Sequence, residues 1–233
     1  MVINMKVILL SAGLGSRLNK GHPKCLTLLS NGRSIMQHQI KGLLRYVEMD
    51  DIYVVVGFKK ELIMEAFPEL TYIYNDYFDT TNTSKSLLIG LHKVRGNSVL
   101  CINGDVVFDH RVIERIITAQ HSVMAVNTAS VGDEEVKYLT AKDGSIAQVS
   151  KDVKNALGES LGINKVRAEN IPLLINHLEN CKDSDYFEKA IETAICAGLK
   201  IYPIDVCDLL CTEVDFVEDL EKVNKQLKKT RAE

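Results

Sequence analysis

A glycine-rich segment directly after the first predicted strand has the residue types of a phosphate-binding loop. Residues 11–18 read SAGLGSRL, and the predicted strand covers residues 6–10. Small residues let the main chain curve closely around a polyphosphate, whose oxygens then accept hydrogen bonds from several main-chain amides. Arg17 places a cation in this segment, and the Pro23-Lys24 pair supplies another seven residues later. The spacing therefore predicts a local anion site.

Two other classes of glycine loop fit this segment poorly. A dinucleotide-binding loop needs a third glycine where Leu18 stands, and the predicted strand ending at Val56 lacks the acidic residue that would hold a ribose. A Walker-type phosphate loop needs Gly-Lys followed by Ser or Thr, which the sequence does not contain. A tight strand-to-helix turn without a ligand stays open as the structural alternative.

Two acidic segments lie far apart along the chain. Asp105 directly follows a predicted buried strand over residues 99–102, which places it at the carboxyl end of a strand, where α/β sheets bind ligands. Asp215 lies in residues 212–219, TEVDFVED, just before the last predicted helix. Each aspartate also has a structural interpretation, as a solvated turn residue for Asp105 and as a capping box with Glu218 for Asp215. The residue types alone leave both interpretations open.

Residues 9–28, with SAGLGSRL and then Pro23-Lys24, resemble the signature of the sugar-phosphate nucleotidyltransferase superfamily. The resemblance implies that the loop and Arg17 hold a nucleoside triphosphate, that Lys24 contacts the phosphate of an acceptor, and that both residues are catalytic. It also implies a catalytic Mg²⁺. This ion is commonly bound by two protein oxygen ligands together with waters and substrate phosphates. The implied metal ligands are Asp105 and Asp215, with Glu213 as a further candidate. The implied nucleotide-binding residues of these segments are Ser11, Ala12, Gly13, Gly15, Ser16 and Asp105.

The middle of the chain resembles the cytidylyltransferase branch of that superfamily. Residues 74–87, YNDYFDTTNTSKSL, are similar to the Asn-rich segment of the branch, which implies that Asn82, Ser84 and Ser86 contact the nucleotide. An ordinary helix-capping region is the structural alternative. The similarity favours CTP as the nucleotide.

Two further segments resemble the border of the acceptor pocket in many relatives. They are Lys151 and the sequence GESLGI of residues 158–163, which contains Glu159. A surface lysine and a loop are the structural alternatives. The acceptors implied by the branch are aminoethylphosphonate and the phosphates of choline, ethanolamine, inositol, glutamine or a sugar. Proteins commonly bind a quaternary ammonium group in an aromatic cage. Because the sequence contains no Trp, such a cage would need tyrosines such as Tyr74, Tyr77 or Tyr138.

The reaction implied by the resemblance is transfer of CMP from CTP to a phosphorylated or phosphonate acceptor, with release of pyrophosphate. Such an acceptor is already ionised near neutral pH and needs no side-chain base. Catalysis would depend on positioning and on electrostatic stabilisation. Products of this kind are precursors of cell-surface polysaccharides or phospholipids. The competing interpretations are a uridylyl- or guanylyltransferase acting on a sugar 1-phosphate, a catalytically silent nucleotide-binding regulatory module, and a hydride-transfer enzyme.

The elements that must position these residues alternate along the first half of the chain. Short branched runs predict strands at residues 6–10, 52–56, 71–74 and 99–102. Amphipathic patterns predict helices at residues 34–47, 59–67 and 83–93, and a fourth helix that Asp109 caps and that runs to residue 120. This alternation predicts an α/β fold with a parallel sheet covered on both faces.

The second half of the chain changes this pattern. Consecutive predicted strands at residues 122–129, 138–141 and 146–150 indicate an antiparallel or mixed extension of the sheet. Helices are predicted at residues 167–181, 186–197 and 217–229, with a strand at residues 200–206. Together with the resemblance, the pattern predicts a Rossmann-like three-layer sandwich with a mostly parallel mixed sheet, the nucleotide-diphospho-sugar transferase fold. We expect a single nucleotidyltransferase domain over residues 1–233.

Composition excludes several other classes of protein. The 233 residues are 46% hydrophobic and 25% charged with a net charge of -3, so we expect a globular core and no binding to nucleic acid or to anionic membranes. Six scattered cysteines without a C-x-x-C pair indicate reduced thiols. The first residues have no signal-peptide pattern, and the first apolar run is too short to cross a bilayer. We therefore expect a cytoplasmic protein, with its oligomeric state left open and a homodimer as one option.

Overall fold

The computed structural model describes residues 5–15, 18, 21–129, 131–132 and 135–229. These residues form eleven β-strands and seven α-helices. The strands are β1 (Met5–Ser11), β2 (Ile52–Val56), β3 (Thr71–Tyr74), β4 (Ser98–Asn103), β5 (Val106–Phe108), β6 (Ser122–Asn127), β7 (Lys137–Thr140), β8 (Ile146–Ser150), β9 (Gly158–Val166), β10 (Ile201–Asp205) and β11 (Cys211–Glu213). The helices are α1 (Ile35–Leu43), α2 (Lys60–Ala66), α3 (Thr83–Lys93), α4 (His110–Thr118), α5 (Ile171–Glu179), α6 (Phe187–Cys196) and α7 (Val217–Lys229).

A mixed, mostly parallel sheet forms the centre of the fold. Its strand order is β10-β6-β9-β4-β1-β2-β3, and β7 and β8 extend it beside β9. The pairs β1–β2, β1–β4, β2–β3 and β10–β6 are parallel, whereas β9 runs antiparallel to both β4 and β6. The parallel strands β1 and β4 therefore end at the same edge, with Ser11 and Asn103 at their carboxyl ends. This edge is where an α/β sheet binds ligands.

Side-chain alternation along β1 shows how the two faces of the sheet are covered. Val7 and Leu9 belong to a core that contains apolar residues of α1, α2 and α4. Ile8 and Leu10 belong to the core on the opposite face, which α3, α5 and α6 cover. Successive residues of a strand point to opposite faces, so both faces of β1 are buried. The three-layer α/β sandwich predicted from the sequence is confirmed.

Helix α7 packs on a smaller apolar cluster away from these two layers. Leu220 and Val223 of α7 contact a cluster that includes Leu18, Ile35 and Val107. Strands β5 and β11 pair antiparallel in a separate two-stranded sheet beneath the helix. The end of β11 and the start of α7 are thereby held next to the turn between β4 and β5.

Three strands were absent from the sequence prediction. Residues 158–163, expected as a loop or a pocket border, form the first part of β9, which is buried between β4 and β6. Two glycines, a glutamate and a serine interrupt the apolar alternation there, so the segment lacks the pattern of a strand. Strands β5 and β11 have only three residues each, too few for a periodic signal.

All six cysteines are free thiols, and Cys25, Cys101 and Cys211 are buried. Among the residues that the structure describes, no helix combines the length and the hydropathy that a membrane span requires.

The predicted cap of α4 provides a test of local stability. Asp109 is the N-cap, and its side chain accepts a hydrogen bond from the Arg111 amide at 2.9 Å. Asp109→Ala should lower the free energy of unfolding by about 1 kcal/mol, because it leaves this amide without its partner. Asp109→Asn should recover most of the loss, since asparagine caps as well as aspartate and the ion pair with the exposed Arg111 contributes little. Urea denaturation measures both variants, and equal losses would contradict the assignment.

Candidate active site

The glycine loop is held in place by the neighbouring strand end. The carbonyl of Ala12 accepts a hydrogen bond from the Phe58 amide at 3.0 Å, directly after β2. A Cβ on Gly57 would lie 2.6 Å from the same carbonyl oxygen, so only glycine permits this approach. Gly15 has a left-handed φ of 60°, and a Cβ there would lie 3.1 Å from the Lys24 Cβ. The loop therefore curves against the segment that carries Lys24.

A cavity of about 270 Å³ lies inside this curve, and we call it the glycine-loop cavity. A Cβ on Gly13 would meet no atom within 4 Å, so the cavity has open space beside the loop main chain. The cavity lies at the carboxyl ends of β1 and β4. The residues of its wall that concern the site are Ser11, Gly13, Gly15, Lys24, Asp105 and Asp215.

Lys24 joins the two aspartates that the sequence singled out. Its Nζ donates to Asp105 Oδ2 at 2.7 Å and to Asp215 Oδ1 at 2.5 Å. Burial would lower the pKa of the Lys24 ammonium, but the charges and hydrogen bonds of Asp105 and Asp215 outweigh it and raise the pKa above its usual 10.5. The lysine is thus positively charged at any working pH. The sequence had assigned it to the acceptor phosphate, and the structure places it at the junction of loop and acids.

The turn that carries Asp105 is fixed on both sides. The Gly104 amide donates to the Leu10 carbonyl at 2.9 Å, which ties the turn to β1. On the other side, the fully buried Gln39 of α1 donates from Nε2 to the carbonyls of Asn103 and Val106, each at 2.9 Å. A rigid turn of this kind holds the Asp105 carboxylate in one position. The sequence did not identify Gln39 as part of the site, because a glutamine within a helix has no distinguishing pattern.

The donor set at this junction fits a magnesium ion. Asp105 Oδ1 is buried and has no hydrogen-bond partner among the described residues, so one carboxylate oxygen remains available to a ligand. The ammonium of Lys24 shows that Asp105 and Asp215 can converge on one cation. Mg²⁺ prefers such oxygen ligands and usually keeps several waters, so two protein carboxylates are sufficient. In the part of the chain that the structure describes, no group of three or more His, Cys, Asp or Glu side chains forms a metal site.

Glu213 lies near the junction in a partly buried contact with Asn103. Its Oε1 accepts a hydrogen bond from Asn103 Nδ2 at 2.8 Å. Burial, and after it the charge of Asp105, raises the pKa of the Glu213 carboxyl well above its usual value. Gly162 of β9 has a φ of 65°, and a Cβ there would clash with Glu213 Oε1 and lie 2.6 Å from Asn103 Nδ2. A glycine at this position is therefore required for the contact.

A second cavity of about 570 Å³ adjoins the first, and we call it the acceptor-side cavity. The two cavities share the wall residues Thr83, Asn103, Asp105 and Asp215. A ligand in one would thus meet a ligand in the other at the two aspartates. The remaining wall includes Glu135, Lys151, Ser160, Tyr186, Glu188 and Phe216.

The predicted residues of the middle segments are only partly gathered at these cavities. Asn82 caps α3 and lines the acceptor-side cavity, as does Lys151. Ser86 accepts a hydrogen bond from Asn75 at 3.1 Å and lines a small cavity beside Gly13. Ser84 is fully buried and, in the described structure, lines neither main cavity. Ser16 and Arg17 lie outside the described residues.

Glu159 and the start of α7 differ in detail from the expectations. Glu159 accepts hydrogen bonds from Asn127 Nδ2 at 3.2 Å and from the Gly132 amide at 2.8 Å, and it lines an outer cavity that continues from the acceptor-side cavity. At α7, the side chain that accepts the amides of Asp215 and Phe216 is Asp219, one residue beyond the predicted Glu218. The Asp215 side chain extends to Lys24 instead.

Several wall residues were not found from the sequence. Thr83 lines both main cavities, whereas the sequence predicted Ser84 as a nucleotide contact. Sequence spacing alone does not show which side of the first turn of α3 faces the cavities. Glu188 is 5% exposed, at the second position of α6. An acidic residue in the first turn of a helix is ordinary, so the sequence contains no signal that separates Glu188 from other acids of this kind.

Most of the chain matches one family of nucleotidyltransferases. Residues 7–169 match the MobA-like NTP transferase domain, and the chain belongs to this family. The superfamily resemblance that the sequence suggested is thereby confirmed.

Two curated relatives show how far the similarity extends. The bifunctional protein GlmU of Methanococcus maripaludis is 29% identical over 213 residues, which cover 84% of this chain and 49% of that protein. The CMP-5'-(3-aminopropyl)phosphonate synthase of Streptomyces rubellomurinus is 32% identical over 126 residues, 50% of this chain and 20% of that protein. The chain therefore spans half or less of the length of these relatives.

A solved structure agrees with the fold over nearly the whole chain. The CTP:phosphocholine cytidylyltransferase of Streptococcus pneumoniae superposes with a TM-score of 0.78 and covers 97% of this chain and 100% of its own. Its sequence identity is 19%, so the likeness is one of fold alone.

Gly162 provides a direct test of this site geometry. Gly162→Ala should lower the free energy of unfolding by about 1–3 kcal/mol and displace Glu213, because the new Cβ meets the Asn103–Glu213 contact in a left-handed conformation. Urea denaturation measures the loss of stability. Gly144→Ala is the matched control, since Gly144 has a φ of 80° but no atom within 4 Å of its Cβ position. Equal losses in the two variants would show that strain of the left-handed backbone accounts for the whole loss of stability. The Asn103–Glu213 contact would then contribute nothing to it.

Proposed function

We propose that this chain is a magnesium-dependent cytidylyltransferase, which transfers CMP from CTP to a small phosphorylated or phosphonate acceptor and releases pyrophosphate. We propose also that residues 1–233 act as one catalytic domain. The observation that carries the proposal is that Lys24, in the glycine-loop cavity, contacts Asp105 and Asp215, which line both this cavity and the acceptor-side cavity.

The roles of the residues follow from this arrangement. The triphosphate would lie along the main chain of Gly13 and Gly15, and Arg17 would add its charge to the same loop. Asp105 and Asp215 would hold Mg²⁺, with Glu213 as a further candidate, and the bound ion would neutralise charge on the phosphoryl oxygens. Lys24 keeps a fixed positive charge at the point where the two substrates meet.

The reaction joins the two cavities. An acceptor phosphate or phosphonate oxygen attacks the α-phosphorus of CTP, and a new P–O bond forms. The bond between the α-phosphorus and the bridging oxygen breaks, and pyrophosphate leaves with its electron pair. The acceptor oxygen is ionised near neutral pH, so the side chains orient the two anions and do not remove a proton. Lys151 and Glu159, on the acceptor side, would position the acceptor.

The choice of CTP has two supports. The relative from Streptomyces rubellomurinus is named as the synthase of a CMP-phosphonate. A small cavity of about 60 Å³ beside Gly13 offers a place for the base, walled by Thr81, Asn82 and Ser86. The cavity adjoins Ala12 and Gly13 of the loop, and its small volume favours a single ring over a purine.

Replacement of Lys24 tests the proposal. Lys24→Ala should lower kcat/KM for pyrophosphate release by about 10²–10³-fold, because a charge at the reacting centre is lost. The assay uses CTP, Mg²⁺ and a panel of phosphorylated and phosphonate acceptors. Lys200→Ala is the matched control, since Lys200 forms an exposed ion pair with Asp143 remote from the cavities, and its activity should equal that of the wild type.

The same assay separates the competing functions. Faster release with UTP or GTP and a sugar 1-phosphate would assign another base and contradict the cytidylyl assignment. Nucleotide binding without release under any acceptor would indicate a regulatory module. Unchanged turnover in Lys24→Ala would remove the lysine from the reacting centre.

A further inference from the structure

The acceptor-side cavity has an excess of acidic side chains. Asp105 and Asp215 share the charge of Lys24, but Glu135 and Glu188 on the same wall have no ion-pair partner among the described residues. The one cationic side chain among the described residues of the wall is Lys151. A pocket built only for a phosphate would be expected to show the opposite balance of charge.

Glu188 is the most buried acid on this wall, and it forms no ion pair with a described residue, although the charge of Lys151 acts on its carboxyl. It is 5% exposed, and burial raises the pKa of its carboxyl to about 7. The start of α6 is fixed at the cavity wall, because the Phe187 amide donates to Thr83 Oγ1 at 3.0 Å. A carboxylate kept in such a position costs stability unless a cation compensates its charge. Its place on the cavity wall allows a ligand to supply that cation.

Ser160 gives an independent indication of a polar ligand. It is 4% exposed, it lines the acceptor-side cavity, and its Oγ is buried without a hydrogen-bond partner among the described residues. Buried hydroxyls are nearly always hydrogen-bonded in folded proteins. The free oxygen of Ser160 can accept an N–H of a ligand in the same cavity that Glu188 lines.

Aromatic side chains distinguish between two kinds of ammonium group. Among the described residues of the wall, only Tyr186 and Phe216 are aromatic. The tyrosines considered from the sequence lie elsewhere: Tyr138 is 3% exposed, Tyr77 is 69% exposed, and Tyr74 carries the Lys60 ammonium on its ring. A trimethylammonium group has no N–H and depends on aromatic faces, whereas a primary ammonium group donates to carboxylate and hydroxyl oxygens.

We propose that the acceptor carries a protonated primary amine in addition to its phosphate or phosphonate, and that Glu188 and Ser160 bind this ammonium group in the acceptor-side cavity. The substrate class is thus an aminoalkyl phosphate or phosphonate. The inference rests on the proposed function, because it assigns the second substrate of the same reaction. Glu188 is a specificity-determining residue in this account, and the phosphate end of the acceptor lies towards Lys24 and the two aspartates.

The experiment compares acceptors that differ in the charge of the amine. Pyrophosphate release is measured with CTP and Mg²⁺ for 2-aminoethyl phosphate, 2-aminoethylphosphonate, N-acetyl-2-aminoethyl phosphate, phosphocholine, ethyl phosphate and glucose 1-phosphate. The wild type, Glu188→Gln and Glu192→Gln are compared. Glu192 lies one turn further along α6 and pairs with the exposed Lys189, so Glu192→Gln is a matched control that should leave all rates unchanged.

The wild type should have its highest kcat/KM with the two aminoalkyl acceptors, and acetylation of the amine should lower kcat/KM by about 10–100-fold. A lost hydrogen bond to a charged group has an effect of this size. Glu188→Gln should lower kcat/KM for the aminoalkyl acceptors by a similar factor and leave that for ethyl phosphate within about 3-fold. The selectivity for the amine should therefore disappear in this variant.

Two results would overturn the proposal. One is a preference of the wild type for an acceptor without a charged primary amine, phosphocholine included. This comparison uses the wild type alone and does not depend on the folding of Glu188→Gln. The other is an equal loss for every acceptor in a folded Glu188→Gln, which would show that Glu188 acts on Lys151 and not on the amine. Failure of the proposed function is distinguishable, because then no acceptor supports release of pyrophosphate.

Discussion

One ammonium group between two carboxylates organises this molecule. Lys24 Nζ contacts Asp105 and Asp215, which lie 81 and 191 residues away along the chain. Without a cation, the two carboxylates would repel each other at a partly buried position. The turn after β4, the segment after the glycine loop and the start of α7 are therefore bound together by one charge. Much of the remaining architecture holds these three segments in place, through Gln39, Gly104 and the apolar cluster under α7.

The same arrangement explains how the site combines rigidity with unsatisfied charge. Asp105 is fixed by its turn, yet one of its oxygens has no partner among the described residues. Glu213 is half-buried and Glu188 is buried in the same region, and the pKa values of both carboxyls are raised. These features oppose stability in the ligand-free protein, and apolar packing on both faces of the sheet offsets them. A centre that must bring two anionic substrates together gains from such preorganisation, because its charges need not rearrange during the reaction.

The sequence predicted the scaffold better than the contacts within the site. Helices α3 and α7 have the predicted bounds, since clear apolar stripes and a cap at Asn82 define them. Strand β9 was missed because Gly158 and Gly162 interrupt the strand pattern, and close contacts with the Asn127 carbonyl and with Glu213 require these glycines. The motifs also identified Lys24, Asp105 and Asp215, but assigned the lysine and the acids to different ligands. Motif spacing does not show that side chains from remote segments meet at one point, and it gave no reason to select Glu188 from the other helix-start acids.

The most direct test of the central claim is a crystal structure of the protein with Mg²⁺ and a CTP analogue that cannot be cleaved between the α- and β-phosphorus atoms. Our account predicts the triphosphate along Gly13 and Gly15 in the glycine-loop cavity, with the metal ion bound by Asp105 and Asp215. A structure with the analogue bound elsewhere, and with Lys24 still bridging two metal-free aspartates, would contradict it.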